Sequence, residues 1–189
     1  MANGDEQWTE LSRRNLYDFG LFVASERTSR GPHGKTGRFV VLEAPDWAVV
    51  VPTLVRDGKR YVVAVRQIRH GAGVPMTEFP GGVVEAGEDP AVAAARELRE
   101  ETGYNAARII HLGSCSPNPA FMDNTYHVFA AEGLTLAGSQ SLDEHEIVDV
   151  VELPEDEMMA AIGDPPWSHA LMMTAAWYYR RWREGNANK

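Results

Sequence analysis

The sequence has one cysteine, no long apolar run and no excess of basic residues. Cys115 alone can build neither an internal disulfide nor a cysteine-based zinc cluster, and we interpret it as a small buried apolar residue. No apolar run approaches the ~20 residues that a membrane helix needs. The formal net charge of -9 argues against a protein that binds duplex nucleic acid, because such a protein needs a basic face.

The rest of the composition is that of an ordinary soluble domain. Of the 189 residues, 44% are apolar and 24% are charged. The first residues supply neither the basic start nor the apolar segment of an export signal, so we expect a cytoplasmic protein. We expect one domain over residues 1–189, with N-terminal strands over about 1–45 and a core over 46–189.

Alternating and β-branched segments predict strands before and after one central helix. Residues 10–30 suggest an early strand, and 38–43 complete a hairpin after the turn at 30–37. Asp57-Gly58 between two valine-rich runs is a strong hairpin signal. We further expect strands near 107–112, 125–131 and 147–153, helices at 155–162 and 168–182, and loops at 79–87 and 133–145. This order predicts a mixed α/β or α+β domain.

The central helix has clear start and stop signals. Asp89 is a good N-cap, and Pro90 at the first helical position loses no needed N–H. Residues 91–101 have high helix propensity, and Gly103 can end the helix as a C-terminal cap.

This helix carries acidic residues on one face. Glu97 and Glu101 are four residues apart, and Glu100 is three residues from Glu97, so the three carboxylates lie together. Such like-charge pairs destabilise a helix, and a hard divalent cation with oxygen ligands can offset the repulsion. Glu88 precedes the helix and can fold back towards the cluster, and Arg96 can hold one or two of the acids by bidentate bonds.

A solvated acidic helix face would explain the glutamates alone, but it does not explain the longer pattern. That pattern is Gly82, five residues, Glu88, seven residues, Arg96-Glu97-Leu98, one residue, Glu100-Glu101, one residue, Gly103-Tyr104. Nine specified positions at fixed spacing rarely occur by chance.

The segment resembles the Nudix box at every specified position. The resemblance implies a Nudix fold, in which a mixed sheet lies between helices and the box forms a loop, a helix and a loop. It also implies Mg²⁺ or Mn²⁺ bound mainly by Glu97 and Glu101, with Glu100 assisting and the backbone carbonyl of Gly81 as a further ligand. Bound cations neutralise phosphate oxygens and lower the pKa of a bound water, so catalysis is mostly positioning and electrostatics.

Residues outside the box resemble the ADP-ribose and nucleotide-sugar branch of this family. There an Arg-Gln-x-Arg run, here Arg66 to Arg69, precedes a Glu-x-Pro-(Gly/Ala)-Gly run, here Glu78 to Gly82. A proline about sixteen residues beyond the box marks the same branch, and Pro119 fits. Phe121 stands where the dinucleoside polyphosphate branch has a tyrosine. We therefore expect Glu78 and Pro119 to contact the substrate. Arg66 and Arg69 are expected to contact its phosphates, unless they are surface charges at a strand end, and residues 116–124 are expected to line its cleft, unless they form an ordinary turn.

The resemblance carries weaker expectations as well. The early strands, over about 16–43, pair between protomers in that branch and give a homodimer. Trp47 is expected either to stack on a nucleobase or to pack in a core or interface. The catalytic base is expected in the loop 143–147, as Glu146 or else Glu144, unless this loop is simply solvated. Glu100 and Arg96 complete the catalytic set. His127 and His169 are expected to be structural, because magnesium prefers oxygen ligands.

We therefore expect a magnesium-dependent hydrolase that splits ADP-ribose or a related nucleoside diphosphate sugar into a nucleoside monophosphate and a sugar phosphate. No nucleic acid or membrane partner is expected. A Nudix enzyme acting on nucleoside triphosphates is the nearest alternative. A nucleotide-sugar sensor of the same fold without catalysis is the alternative from another class, although Glu97, Glu100 and Glu101 are all present.

Overall fold

The computed structural model describes residues 7–143 and 146–186. The chain divides into two compact units. The smaller unit contains the residues up to Pro45 together with Ser116–Thr125, and the larger contains Asp46–Cys115 together with the residues from Tyr126 onward.

The smaller unit is built on a three-stranded antiparallel sheet. Its strands are β1 (Thr9–Asp18), β2 (Val23–Arg30) and β3 (Thr36–Glu43), in that order. The hairpin of β2 and β3 agrees with the prediction. Residues 10–30 are two strands rather than one, because a tight turn interrupts them. Gly20 has φ +79° there, and its N–H donates to Asp18 Oδ1 at 2.7 Å.

Residues 116–125 join this unit by backbone and side-chain bonds. The Leu42 N–H donates to the Phe121 carbonyl at 2.7 Å. The Arg27 guanidinium forms an ion pair with Asp123, and Asn124 Nδ2 donates to the Pro45 carbonyl at 3.0 Å. The predicted cleft-lining segment is therefore held by the N-terminal strands.

The larger unit is built on a seven-stranded mixed sheet. Five strands follow the order β10-β5-β4-β9-β8, while β6 pairs with β5 and β7 with β4. Only β4 and β9 pair in parallel among the described strands. The strands are β4 (Trp47–Arg56), β5 (Lys59–Arg69), β6 (Val74–Glu78), β7 (Gly81–Val83), β8 (Tyr104–Cys115), β9 (Tyr126–Leu136) and β10 (Asp149–Pro154).

The hairpin turn between β4 and β5 follows local sequence chemistry, whereas two short strands of this sheet were not predicted. Asp57 and Gly58 join β4 to β5 with positive φ angles of 52° and 75°, as a primed hairpin turn requires. The sequence did not predict β6, which returns along β5 after a short turn, nor the short β7 inside the predicted glycine-rich loop. A strand of three to five residues carries too little periodicity to be recognised.

Helices cover both faces of the sheet. They are α1 (Pro90–Thr102), α2 (Glu155–Ala161) and α3 (Ala170–Asn186). On one face, α1 packs its Ala94 and Leu98 against Ala48, Val50 and Phe129. The opposite face packs against the C-terminal helices through a second buried cluster of Val49, Val51, Val62, Ala64, Val128, Met158, Met172, Ala175 and Tyr179. Alternate residues of β4 thus enter two cores, which explains its almost continuous run of apolar residues.

The observed architecture agrees with the predicted fold class, a mixed sheet between helices with an N-terminal antiparallel hairpin. The predicted helices are confirmed, and α3 extends to Asn186. The predicted loop at 133–145 begins later, because β9 continues to Leu136. None of the described helices combines the length and apolar character needed to cross a membrane.

We expect Asp89→Ala to lower the free energy of unfolding by about 1 kcal/mol, because Asp89 Oδ1 accepts the Ala91 N–H at 2.7 Å at the start of α1. Urea unfolding would measure the change. Asp89→Asn is the matched control, since asparagine also caps helices and should retain most of the stability. Equal losses in both variants would show that the cap bond is not the cause.

Candidate active site

The helix α1 presents the predicted carboxylates to the glycine pair of β7. The Gly81 N–H donates to Glu101 Oε2 at 3.0 Å. A Cβ added to Gly82 would lie 2.4 Å from Glu97 Oε1, so the missing side chain is what lets the Glu97 carboxylate lie there. A Cβ on Gly81 would lie 2.4 Å from the Ala48 carbonyl. The two glycines therefore let β7 approach both α1 and β4 closely.

Burial and like charge act together on the two inner carboxylates. Glu101 is only 4% exposed, and burial raises its pKa to about 8. The negative charges of Glu97 and Glu146 raise the pKa of Glu101 further, while the Gly81 N–H and the Arg69 charge oppose the shift. Burial also raises the pKa of Glu97, against the effect of its bond to Arg96. The site thus places two carboxyl groups where burial and mutual repulsion disfavour their ionised forms.

Arg96 ties the outer carboxylates together. Its Nε and Nη2 donate to the two oxygens of Glu88, each at 3.1 Å. Its Nη1 donates to Glu97 Oε1 at 2.8 Å and to Glu100 Oε2 at 3.1 Å, and its Nη2 also reaches the Val83 carbonyl. These bonds raise the pKa of Arg96 and lower the pKa of Glu88. The sequence predicted this role for Arg96, although the guanidinium contacts three acids rather than one or two.

A second network lies on the hairpin of β5 and β6. Glu78 is fully buried, and its Oε2 accepts bonds from Nε and Nη2 of Arg69 at 2.9 and 2.5 Å. The other oxygen, Oε1, is 2.9 Å from His169 Nδ1. Burial alone would raise the pKa of Glu78, but these two partners hold it below its ordinary value. Both Glu78 oxygens are thus engaged by protein groups, and the carboxylate orients Arg69.

Sequence reasoning missed His169 as part of this network. The expectation for His169 was a structural role, but its partner Glu78 is more than ninety positions away in the sequence. The only available signal was a histidine just before α3, and a buried carboxylate distant in sequence gives no local pattern to match it.

The remaining predicted residues are spread over both units. Arg66 is exposed on β5, opposite Asp149 of β10, and Trp47 is partly buried against the core on the α3 side of the sheet. Glu146 is exposed, and its backbone N–H donates to the Asp143 carbonyl. Pro119 is exposed in the smaller unit. Glu144 lies outside the described residues.

The donors at α1 fit a divalent cation by type and by charge. Three glutamates, at positions 88, 97 and 100, bond to one guanidinium, and a fourth, Glu101, feels the negative charge of Glu97. Carboxylate oxygens are the ligands that hard cations prefer. Among the described residues, no three Asp, Glu, His or Cys side chains already stand as a ligand set. Arg96 bonds to Glu97 and Glu100 while the Gly81 N–H bonds to Glu101, so a cation would compete with these bonds.

We expect Gly82→Ala to weaken Mn²⁺ binding by about tenfold or more, because the new methyl group would displace the Glu97 carboxylate. Calorimetric titration of the purified protein would measure the affinity. Gly71→Ala is the matched control, since nothing lies within 4 Å of a Cβ at that position. Unchanged Mn²⁺ affinity in the Gly82→Ala variant would show that Glu97 is not a ligand of the cation.

Comparison with known proteins shows which family the chain resembles. The family model described as "NUDIX domain" matches residues 45–173. The methanol dehydrogenase activator of Bacillus methanolicus is 38% identical over 132 residues, which cover 69% of this chain and 70% of that protein. The ADP-ribose pyrophosphatase of Bacillus subtilis (strain 168) is 35% identical over the same length, with the same coverage of 69% and 70%.

A solved structure shares the whole fold. The crystal structure of an ADP compounds hydrolase superposes with a TM-score of 0.84 over 98% of both chains, at 23% sequence identity. Together with the matched family model, this similarity confirms the Nudix fold. The chain belongs to the Nudix family and is an enzyme of that family.

Proposed function

We propose that this enzyme hydrolyses the diphosphate bridge of ADP-ribose or a related nucleoside diphosphate sugar in the cytoplasm, with Mg²⁺ or Mn²⁺ as its cofactor. The products are a nucleoside monophosphate and a sugar phosphate. The observation that carries the proposal is the pair of the buried Glu101 and the partly buried Glu97 against the glycines of β7. The similarity to an ADP-ribose pyrophosphatase supports the choice of substrate.

The proposed cation ligands are Glu97, Glu101, Glu100 and the backbone carbonyl of Gly81. A bound divalent cation neutralises charge on the phosphate oxygens and makes water a stronger nucleophile. Before the cation binds, Arg96 keeps Glu97 and Glu100 on the same side of α1. Arg96 therefore preorganises two of the ligands and limits their repulsion.

Arg69 and Arg66 are the proposed phosphate contacts. Arg69 uses Nε and Nη2 to hold Glu78, and 43% of its side chain remains exposed. Its Nη1 is therefore positioned by the Glu78 bond to donate to a phosphate oxygen. We propose that Glu78 acts through Arg69, and that His169 in turn orients Glu78.

We propose Glu146 as the general base, with Glu144 as the alternative. The negative charge of Glu146 influences both Glu97 and Glu101, which supports a location near the carboxylate cluster. The base takes a proton from the attacking water as the water oxygen bonds to a phosphorus and the bridging P–O bond breaks. Trp47 and Pro119 are the proposed contacts for the nucleobase and for the rest of the substrate.

We further propose that residues 1–45 serve dimerisation and that 46–189 form the catalytic core. The smaller unit exposes large apolar side chains on β1 and β3, at positions 11, 16, 17, 39 and 40, and beside β1, at positions 8, 19 and 21. Apolar side chains in such number on one small sheet mark a protein interface. A second copy of the same sheet is the proposed occupant.

The substrate proposal predicts the products of a panel reaction. With Mg²⁺, the purified protein should release AMP and ribose phosphate from ADP-ribose, or the equivalent pair from another nucleoside diphosphate sugar. Chromatography with mass detection identifies the products. Release of orthophosphate or pyrophosphate from triphosphates alone would favour the alternative substrate class. Tight binding of ADP-ribose without turnover would favour a sensor.

Matched variants separate the proposed roles in this reaction. Glu101→Gln should lower the Mg²⁺-dependent rate by about 100-fold, because a buried carboxylate ligand is lost. Glu146→Gln should lower kcat by about 100-fold or more with little change in KM, as expected for loss of a general base. Glu157→Gln, an exposed change on α2, should have no effect. A normal rate in Glu146→Gln would disprove the proposed base.

The dimer proposal predicts that a charge placed on the smaller sheet dissociates the protein. Val40 is 56% exposed on β3, and Val40→Lys should yield a monomer in sedimentation equilibrium, whereas the wild type should be a dimer. Val55→Lys provides the control, because Val55 is 62% exposed on the β4–β5 hairpin. A monomeric wild type at micromolar concentration would contradict the proposal.

A further inference from the structure

Four side chains of the larger unit form a hydrogen-bonded chain that shares no residue with the Arg96 network. His111 Nε2 lies 2.9 Å from Ser114 Oγ, which lies 2.9 Å from His127 Nδ1. The other ring nitrogen of His127, Nε2, lies 3.3 Å from Asp46 Oδ2. The chain therefore runs from a carboxylate through an imidazole to a hydroxyl, with a second imidazole on the same hydroxyl.

The chemistry of these groups assigns a direction to every bond. An ionised Asp46 only accepts, so Nε2 of a neutral His127 carries the proton and its Nδ1 has a free lone pair. Ser114 then donates its hydroxyl proton to Nδ1 and accepts from the Nε2–H of His111. Ser114 is thereby hydrogen-bonded to a base that a carboxylate orients, which is the arrangement of an activated nucleophile.

A backbone irregularity brings the four side chains together. Residues three apart on a regular strand point to opposite faces of the sheet. The pairing of β8 with β9 shifts register between His111 and Gly113, and this bulge turns His111 and Ser114 to the same side. Bulges of this kind re-aim side chains and are frequent beside active sites.

Contacts with Tyr178 hold the backbone at Ser114 in place. A Cβ added to Gly113 would lie 2.2 Å from the Tyr178 ring, so only glycine permits this close approach. The Tyr178 hydroxyl donates to the Ser114 carbonyl at 3.0 Å. The His111 ring packs at 5.2 Å, between centroids, from Phe129, which belongs to the core under α1. The Ser114 side chain is thus exposed while the Ser114 backbone is held in place.

We propose that Ser114 is a nucleophile of a second site, which accepts acyl groups from short, uncharged esters. The Ser114 oxygen bonds to the ester carbonyl carbon as its proton passes to His127 Nδ1. The ester C–O bond then breaks, and the leaving alkoxide takes that proton. Water hydrolyses the acyl-serine by the same route in reverse, which restores the hydroxyl and releases the acid.

The surroundings favour the substrate class and supply a second donor. Ser114 and His111 are exposed, so a small acyl group reaches the hydroxyl without a deep pocket. Asp46 is the charged member of the chain, and its negative charge disfavours anionic esters. The Nε2–H of His111, which points at the serine oxygen, can turn to the carbonyl oxygen as negative charge develops there.

Labelling with a fluorophosphonate tests the proposal on the native full-length protein. The reagent forms a Ser Oγ–P bond and releases fluoride, so peptide mass spectrometry locates the adduct. We expect stoichiometric labelling at Ser114 in the native protein and none after denaturation in urea. Turnover of 4-nitrophenyl acetate should accompany it and should disappear in labelled protein. Absence of a Ser114 adduct in the native wild type would overturn the proposal.

Variants distinguish an activated serine from a merely exposed one. His127→Gln should slow labelling by about 100-fold or more, through loss of the base, and Asp46→Asn by about tenfold or more. Ser116→Ala removes a nearby exposed serine and should leave labelling unchanged. Ser114→Ala should abolish labelling while nucleotide hydrolysis and the thermal unfolding midpoint stay normal. Equal labelling rates in the wild type and in His127→Gln would show that His127 does not activate Ser114 and that Ser114 is an ordinary surface residue.

Discussion

Arg96 offsets the repulsion among three neighbouring glutamates. Glu97, Glu100 and Glu88 would repel one another around a single helix, and like charges at this spacing destabilise a helix by a few tenths of a kcal/mol per pair. The guanidinium contacts all three carboxylates and also the Val83 carbonyl, so it joins the helix to the loop before it. The same bonds that reduce the repulsion on the acidic face of α1 therefore hold the preceding loop against the helix.

The inner carboxylate depends on a different constraint, which is the close packing of α1 on the sheet. Leu98 buries the helix against β4, and one turn later Glu101 lies against β7 with a pKa near 8. The guanidinium of Arg96 does not bond to Glu101, whose partner is the Gly81 N–H. A buried acid with one neutral donor has more to gain from a cation than the less buried Glu100 has, which already bonds to Arg96. Core packing, in addition to sequence spacing, thus determines which of the four glutamates gains most from a bound cation.

The sequence predicted those parts of the fold that depend on local chemistry. Asp57-Gly58 and the caps of α1 were recognised because their backbone angles suit particular residue types. The spacing of the box residues also predicted which face of the helix carries the acidic side chains. What could not be predicted depends on contacts between distant segments, such as the bond of His169 to Glu78 and the bulge after His111. Local periodicity does not indicate a partner that is ninety residues away in the sequence. A bulge changes the side of the sheet to which side chains point, and no fixed residue pattern predicts it.

Two histidine–carboxylate pairs in the larger unit show how the third group determines what such a pair can do. In the pair of His169 and Glu78, the carboxylate is fully buried and its other oxygen binds the Arg69 guanidinium, so the histidine can only hold an anion in place. In the pair of His127 and Asp46, the free ring nitrogen faces a hydroxyl instead of a guanidinium. A hydroxyl has a proton to lose and a guanidinium does not at accessible pH. The first pair therefore serves positioning, whereas the second has the composition needed for proton transfer.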